Sequence, residues 1–282
     1  MTDDTTTTGA TTDGGLGHER TLAVIGVWAE RLAAVAADHP WSTPVPTCPE
    51  WDLGKLVRHT GRVHRHVAGL VRLRIDGPPD RDTVAIDQPD RDADEAAWTA
   101  WFREGAARLL EVLGATEPAT PMWSWGGDQH ASFWSRRMAH ETVIHAVDGL
   151  MAVGMDFAIE PGVAVDGLDE FLESMPRSPS FTARDRPFVG SGTVHLHATD
   201  DGLPEGTGEW MIEFTPDGFT FTHAHGKGDV AVRAPAETLE LLALGRRSLP
   251  QGGSGGDGAT AGVQLFGDSE VLDRFLAGAV FR

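Results

Sequence analysis

Apolar side chains recur every three or four residues in four separate stretches of the first half of the chain, a spacing typical of amphipathic helices. These stretches predict helices over about residues 18–37, 52–75, 93–114 and 131–152. Asp52 stands at the start of the second stretch and is a predicted N-cap. Loops rich in proline, glycine and charged residues separate the stretches, and four amphipathic helices joined by loops favour a helical bundle.

Beyond Gly154 the chain changes to shorter stretches, several with a strand-like pattern. Strands are predicted over residues 193–198, 209–215 and 219–224, and the Pro-Asp-Gly sequence at 216–218 predicts a hairpin turn between the last two. Further elements complete the prediction: helices over about 163–175, 236–244 and 268–279, and a short strand over about 264–266.

These patterns predict the fold class α plus α+β, with two domains. Residues 1–16 lack apolar periodicity and are predicted to be a disordered tail. Residues 17–155 are predicted to form a four-helix bundle, and residues 156–282 a smaller α+β domain. A chain of 282 residues is long enough for both.

Charge and composition narrow the possible functions. The chain has 23 Lys and Arg against 42 Asp and Glu, which gives a formal net charge of −19. Nucleic acids and anionic membranes would be repelled by such a surface, so neither is an expected partner. No apolar run approaches the roughly 20 residues of a membrane span, and the acidic, Thr-rich start does not have the pattern of a signal peptide. Cys48 is the only cysteine, which excludes an internal disulfide. We expect a cytoplasmic protein.

Candidate chemistry lies on the fourth helical stretch, where Glu141, His145 and Asp148 fall on the face that the bundle should bury. An ionised glutamate in a core is costly unless it is paired or bound to a cation. The i, i+4 spacing of Glu141 and His145 directs both side chains to one point, as in helices that present two metal ligands. Asp148 could hold the other ring nitrogen of His145. The alternative is an internal Glu–His hydrogen bond, joined by Arg137, with no metal.

The second helical stretch offers three partners for that pair. His59, His64 and His66 lie in or near its apolar stripe, and any one of them could complete a site, because facing helices of a bundle are a usual place for metals. Two nitrogens and one oxygen suit zinc with a fourth position open, although iron, nickel and manganese also remain candidates. For His64 and His66, each taken alone, a core or surface role is the simpler interpretation.

Two stretches of the predicted bundle resemble the signature sequences of a known family: PVPTCPEWDLGKLVRHTGRVHRHV and SFWSRRMAHETVIHAVDG. The family is that of the mycothiol-dependent maleylpyruvate isomerases. Three C-terminal stretches are similar to its second domain: GTVHLHATD, DVAVRAPAETLELLALGRR and FGDSEVLDRFL. The resemblance spans most of residues 18–280, and it implies a DinB-like, metal-binding N-terminal bundle followed by a smaller domain.

The resemblance also implies site residues and cofactors. The family's metal would be held by His59, Glu141 and His145. The family's substrate-contacting arginine would be Arg246, with Arg247 beside it as the other possibility. The implied cofactors are a divalent metal, with zinc favoured, and mycothiol as thiol cosubstrate. The segment reads LLALGRR where many relatives have a tryptophan before the glycine, which indicates a different substrate pocket.

A mechanism follows from this implied site. A metal with three protein ligands and an open position can bind a low-molecular-weight thiol and lower its pKa. The thiolate would add to an electrophilic small molecule; elimination would complete an isomerisation, and retention of the thiol would make the protein an S-transferase. Cys48 is interpreted as a packing residue and not as the nucleophile. Two other classes stay open: a metal-containing thiol- or ligand-binding protein without turnover, and a metal-dependent hydrolase that uses a bound water.

Further histidines lie on the predicted strands. His195 and His197 share one face of the first strand, and His223 and His225 share a face of another. If those strands pair, the four side chains could form a second metal site. The simpler interpretations are a polar sheet face or a contribution to the substrate cleft.

Overall fold

The computed structural model describes residues 15–178, 190–216, 218–249 and 262–279. Four long helices form the N-terminal part: α1 (His18–Asp38), α2 (Leu53–Leu73), α3 (Glu95–Gly114) and α4 (Ala131–Ala152). Their bounds agree closely with the four predicted stretches. Asp52 accepts a hydrogen bond from the backbone nitrogen of Lys55 at 2.7 Å, which confirms it as the N-cap of α2.

Helix α4 has more buried positions than any other helix of the bundle. Helices α1 and α2 pack against it, and its side chains are buried around most of its circumference. The core between the helices is built from leucines and aromatic rings, among them Leu32, Leu56, Phe102 and Leu109. Because α4 has so little solvent-facing surface, the polar groups that it carries must find partners inside the protein.

The second domain begins with α5 (Pro161–Ser174) and a 3₁₀ turn (Met175–Arg177). Its other elements, in chain order, are β1 (Thr193–Ala198), β2 (Glu209–Thr215), β3 (Gly218–Thr222), β4 (Val230–Ala234), α6 (Ala236–Ala243), β5 (Gln264–Gly267) and α7 (Ser269–Ala279). The strands lie in the order β3-β2-β1-β4-β5, with β1 and β4 parallel and the other neighbours antiparallel. The predicted fold class, α plus α+β, is confirmed. None of the described helices is long and apolar enough to cross a membrane.

Strand β4 is absent from the sequence-based prediction. Val230, Val232 and Ala234 are buried and alternate with less buried residues, which is the pattern of a strand. This signal is only five residues long. Strand β4 pairs with the parallel strand β1 on one side and with β5 on the other, and pairings between segments so far apart in the chain cannot be recognised from local pattern.

The predicted hairpin is present, because β2 and β3 pair in antiparallel fashion. Its turn residue Asp217 lies outside the described residues, as do residues 1–14 of the predicted tail. Strand β3 ends at Thr222, earlier than predicted. The expectation that His223 and His225 share a strand face is therefore wrong, because both lie in the segment that follows β3.

Charged side chains fill the junction of α4, α5 and α6. Arg136 donates from Nε to Asp166 Oδ1 at 3.1 Å, and Arg137 donates from Nη1 to Glu170 Oε2 at 2.6 Å. Glu240 of α6 is fully buried, and neither of its carboxyl oxygens has a hydrogen-bond partner among the described residues. Burial, and then the neighbouring carboxylates, raise the pKa of Glu240 well above its ordinary value. Burial in the folded protein therefore favours the neutral acid form of Glu240.

Replacing Glu240 with glutamine should flatten the pH dependence of stability. The folded protein keeps this proton to higher pH than the unfolded chain does, so wild-type stability falls as pH rises above the ordinary glutamate pKa of 4.5. The loss is up to about 1.4 kcal/mol per pH unit. Urea unfolding between about pH 5 and 7 should show Glu240→Gln gaining stability relative to wild type as pH rises. Glu205→Gln, at an exposed position, is the control. Parallel curves for wild type and Glu240→Gln would contradict the prediction.

Candidate metal centre

One side chain of α2 and two of α4 meet at a single point. His59 Nε2 lies 3.3 Å from Glu141 Oε1, and His145 Nε2 lies 3.2 Å from the same oxygen. The three atoms lie within 4.8 Å of one another. Glu141 and His145 are one helical turn apart, so both side chains leave α4 on the same side. His145 is buried and the other two side chains are partly exposed, so the cluster borders solvent.

Asp148 holds His145 from the side opposite the cluster. Its Oδ2 lies 2.9 Å from His145 Nδ1, and its Oδ1 accepts a hydrogen bond from Thr47 Oγ1 at 2.6 Å. Burial alone would raise the pKa of Asp148. The hydrogen bond from His145 and the charge of Arg246 outweigh burial and hold that pKa below its ordinary value. Ionised Asp148 therefore accepts the Nδ1 proton of His145 and leaves Nε2 facing the cluster.

Arg137 fixes the carboxylate of the cluster. It donates from Nη2 to Glu141 Oε2 at 2.9 Å and from Nη1 to Glu170 Oε2 at 2.6 Å. Burial would raise the pKa of Glu141, but His145, then His59 and Arg137, lower it well below its ordinary value. Glu141 is therefore ionised, with one oxygen engaged by Arg137 and the other directed at the two imidazoles.

The same negative charge acts on His145. Burial would lower its pKa, but the charge of Glu141 and the hydrogen bond to Asp148 raise it well above the ordinary value. Metal ligation requires the deprotonated nitrogen, so a proton and a divalent cation compete for Nε2 of His145.

This donor set fits a divalent cation. Two imidazole nitrogens and one carboxylate oxygen are the ligands of catalytic zinc sites that keep a fourth position open. Asp148 stands behind His145 as carboxylates stand behind histidine ligands in metal sites, and Arg137 orients Glu141. Side chains that could ligate a cation and groups that orient them are therefore both present.

Of the three candidate histidines on α2, the structure brings His59 to the cluster. His64 is fully buried, and its Nε2 lies 2.9 Å from Thr142 Oγ1. Burial lowers the pKa of His64 to about 4, so it is a neutral group of the core. His66 is half-buried, and burial lowers its pKa too. Neither belongs to the group formed with Glu141, which agrees with the simpler interpretation of these two histidines.

Two residues of the loop before α2 lie beside the cluster, although sequence reasoning did not assign them to it. Trp51 packs its ring 4.8 Å from that of His59, measured between centroids. Cys48 Sγ lies 3.4 Å from Asp148 Oδ2, so Cys48 belongs to the polar network around His145 and is more than a packing residue. The signal that could have found both is the position of their loop, directly before the helix that carries His59.

Arg246 ties the second domain to this site. It follows α6 and donates to both oxygens of Asp148, from Nε at 3.1 Å and from Nη2 at 3.0 Å. The side chains of Arg246 and Asp148 are 12% and 0% exposed, which makes this a buried bidentate pair. Arg247 instead donates to Glu237 at 3.0 Å.

Cys48 forms another possible metal-binding group with His145 and Asp148. Arg246 already neutralises the charge of Asp148, which makes that group a weaker set of ligands.

Sequence comparison agrees with this two-part organisation. The family model for the mycothiol maleylpyruvate isomerase N-terminal domain matches residues 23–148, and the model for the MDMPI C-terminal domain matches residues 162–274. The chain belongs to the mycothiol-dependent maleylpyruvate isomerase family. This is a family of enzymes, and its two domains follow one another here in the order of the models. No curated protein shows significant sequence similarity to the chain.

Solved structures show the same fold. The crystal structure of the mycothiol-dependent maleylpyruvate isomerase is 15% identical to this member of the family, with a TM-score of 0.56. A histidine-to-alanine mutant of that isomerase is 14% identical, also with a TM-score of 0.56. Each match covers 89% of this chain and 93% of the other. At such low identity the likeness establishes the fold alone.

Proposed function

We propose that the protein is a metal- and mycothiol-dependent enzyme in which the thiol adds to an electrophilic small molecule, either as an isomerase or as a thiol S-transferase. The observation that carries this proposal is the convergence of His59, Glu141 and His145 on one point. The fitting ion is a divalent cation, and zinc suits these ligands best. Membership of the family supports mycothiol as the thiol.

The residues around the cluster would prepare it for this chemistry. When bound by the three side chains, a divalent cation would supply an open coordination position at which a thiol loses its proton near neutral pH. Asp148 holds His145 in one orientation, and Arg137 does the same for Glu141, so the ligands need little reorganisation. Trp51 packs against the ring of His59 and would help to hold it in place.

Arg246 has two proposed roles. It positions Asp148 and, through it, His145. As a cation close to the cluster, it would also stabilise negative charge that develops on the substrate. In the structure Nε and Nη2 donate to Asp148, and Nη1 donates to the backbone oxygen of Leu244 at 2.8 Å. A guanidinium carries five N–H groups, and Nη2 also donates to Cys48 Sγ at 3.9 Å, so the second N–H of Nη1 is the donor that could meet a substrate without sharing.

The alternative is a metal-containing protein that binds a thiol or another ligand without turnover. The bidentate engagement of Arg246 by Asp148 favours it, because fewer guanidinium donors face a substrate. The third class, a hydrolase that uses a bound water, would need no thiol.

Turnover should require both metal and thiol. We expect the zinc-loaded protein to isomerise maleylpyruvate, or a related electrophile, or to conjugate it to the thiol, only when mycothiol is present, because a metal-bound thiol is ionised at neutral pH. Proton NMR of the double bond follows isomerisation, and mass spectrometry detects a thiol conjugate. Chelated protein is the matched control.

The other outcomes separate the three classes. Calorimetric binding of mycothiol to the zinc-loaded protein without conversion of any electrophile tested would support the binding protein. Activity that persists without thiol would support the hydrolase. Failure to bind any low-molecular-weight thiol, with or without zinc, would overturn the proposal that the protein uses one.

A further inference from the structure

Four side chains that can ligate metals meet on one face of the sheet in the second domain. His195 and His197 are two residues apart on β1 and therefore point to the same side. The strand register places Glu209 of β2 directly opposite His197, on that side. His225, in the segment after β3, belongs to the same group. The group shares no residue with the cluster between α2 and α4.

Three imidazoles surround one carboxylate oxygen. Glu209 Oε2 lies 2.9 Å from His195 Nε2 and 3.3 Å from His197 Nδ1. The same oxygen lies 2.7 Å from His225 Nδ1, and the four atoms lie within 4.8 Å of one another. In a tetrahedral zinc site with bonds of about 2.0–2.1 Å, the ligand atoms are roughly 3.3 Å apart. Small rotations of these side chains would reach that geometry.

Hydrogen bonding alone does not account for the arrangement. His197 Nδ1 is buried and has no hydrogen-bond partner among the described residues. Glu209 Oε2 lies 3.3 Å from it but forms no hydrogen bond with it. A buried polar atom without a partner is costly. A cation at the centre of the group would engage this nitrogen.

The chemistry of the four side chains also suits a cation. Imidazole nitrogens and a carboxylate oxygen are both zinc ligands. Glu209 brings the negative charge of one carboxylate to the centre of three imidazoles.

We propose that this group is a second divalent-cation site, which binds Zn²⁺ through four protein ligands: His195, His197, Glu209 and His225. Three imidazoles and a carboxylate form a set of zinc ligands, and four protein ligands leave no open position, which is the property of a structural site. The side chain of His225 is 76% exposed. The bound ion pins the segment after β3 to strands β1 and β2.

The zinc content of a Glu141→Ala protein tests this site separately from the first. In that background we expect one Zn²⁺ per chain to remain after zinc addition and gel filtration, measured by elemental analysis, and His225→Ala should remove it. Because His225 is exposed, its replacement leaves the core intact. Zinc should raise the Tm of the Glu141→Ala protein, and the double variant should lose that shift.

His223→Ala is the matched control. His223 is two residues from His225, but its Nε2 lies 3.5 Å from Asp169 Oδ1 and it is not part of the group. The control should keep both the zinc and the Tm shift. Glu209→Gln in the Glu141→Ala background gives a second test and should lose both. Retention of zinc by the His225→Ala and Glu209→Gln proteins, or absence of zinc from the Glu141→Ala parent, would overturn the second site. If only the first site failed to bind zinc, the proposal of the second site would not be contradicted.

Discussion

Replacing Glu141 with glutamine should release the cation from the first site and abolish turnover. The substitution keeps the shape of the side chain but removes the negative charge that faces His59 and His145. Loss of a group behind a ligand typically costs 10–100-fold in metal affinity, and loss of the ligand itself should exceed about 100-fold. Zinc titration in the His225→Ala background isolates the first site, because the proposed second site is then removed.

The fold should survive this change. Arg137 keeps its hydrogen bond to Glu170, so the charged junction of α4 and α5 retains a paired arginine. Glu111→Gln, at an exposed position of α3, is the control and should bind zinc like the parent. If Glu141→Gln binds zinc as tightly as Glu111→Gln, Glu141 is not a ligand and the proposed centre is wrong.

Replacing Asp148 with asparagine should weaken both the fold and the metal site. Arg246 would remain buried without its counter-ion, and breaking a buried ion pair from one side costs about 3–5 kcal/mol. His145 would lose the carboxylate that orients it, which should lower zinc affinity about 10–100-fold. Urea unfolding measures the first effect, and competition with a zinc chelator measures the second.

A double-mutant cycle separates these two effects. Asp148→Asn combined with Arg246→Met removes both charges, so most of the lost stability should return, while zinc affinity stays low. Asp201→Asn, at an exposed position, should change neither quantity. A decrease of less than about 1 kcal/mol in the free energy of unfolding of Asp148→Asn alone would show that the buried pair does not stabilise the fold as predicted.

Sequence reasoning predicts local features well and non-local ones poorly, and the site shows why. Glu141 and His145 sit one turn apart on one helix, so their convergence follows from helix geometry alone. The choice among His59, His64 and His66 depends on how α2 rotates against α4, which periodicity does not determine. It was the resemblance to a family that selected His59, and the structure places that histidine with Glu141.

The second domain shows the same limit. The strand containing His195 and His197 is predicted correctly, because its pattern is local. Glu209 joins them only through the register between β1 and β2, which the sequence does not reveal. Strand β4 is short and pairs with a strand more than thirty residues away, so its local signal is weak. Arg246 meets Asp148 across a separation of 98 residues, beyond any pattern of spacing.

The pair formed by Arg246 and Asp148 joins the two domains beside the proposed metal site, and each domain contributes a different part of that site. All three proposed ligands come from the bundle. The guanidinium that balances the charge of Asp148, behind His145, comes from the second domain. A change in the loop after α6 would therefore alter how tightly a cation is held at the proposed site, with no change to the proposed ligands. Exchange of the second domain between relatives would therefore change the metal affinity of the site in the bundle.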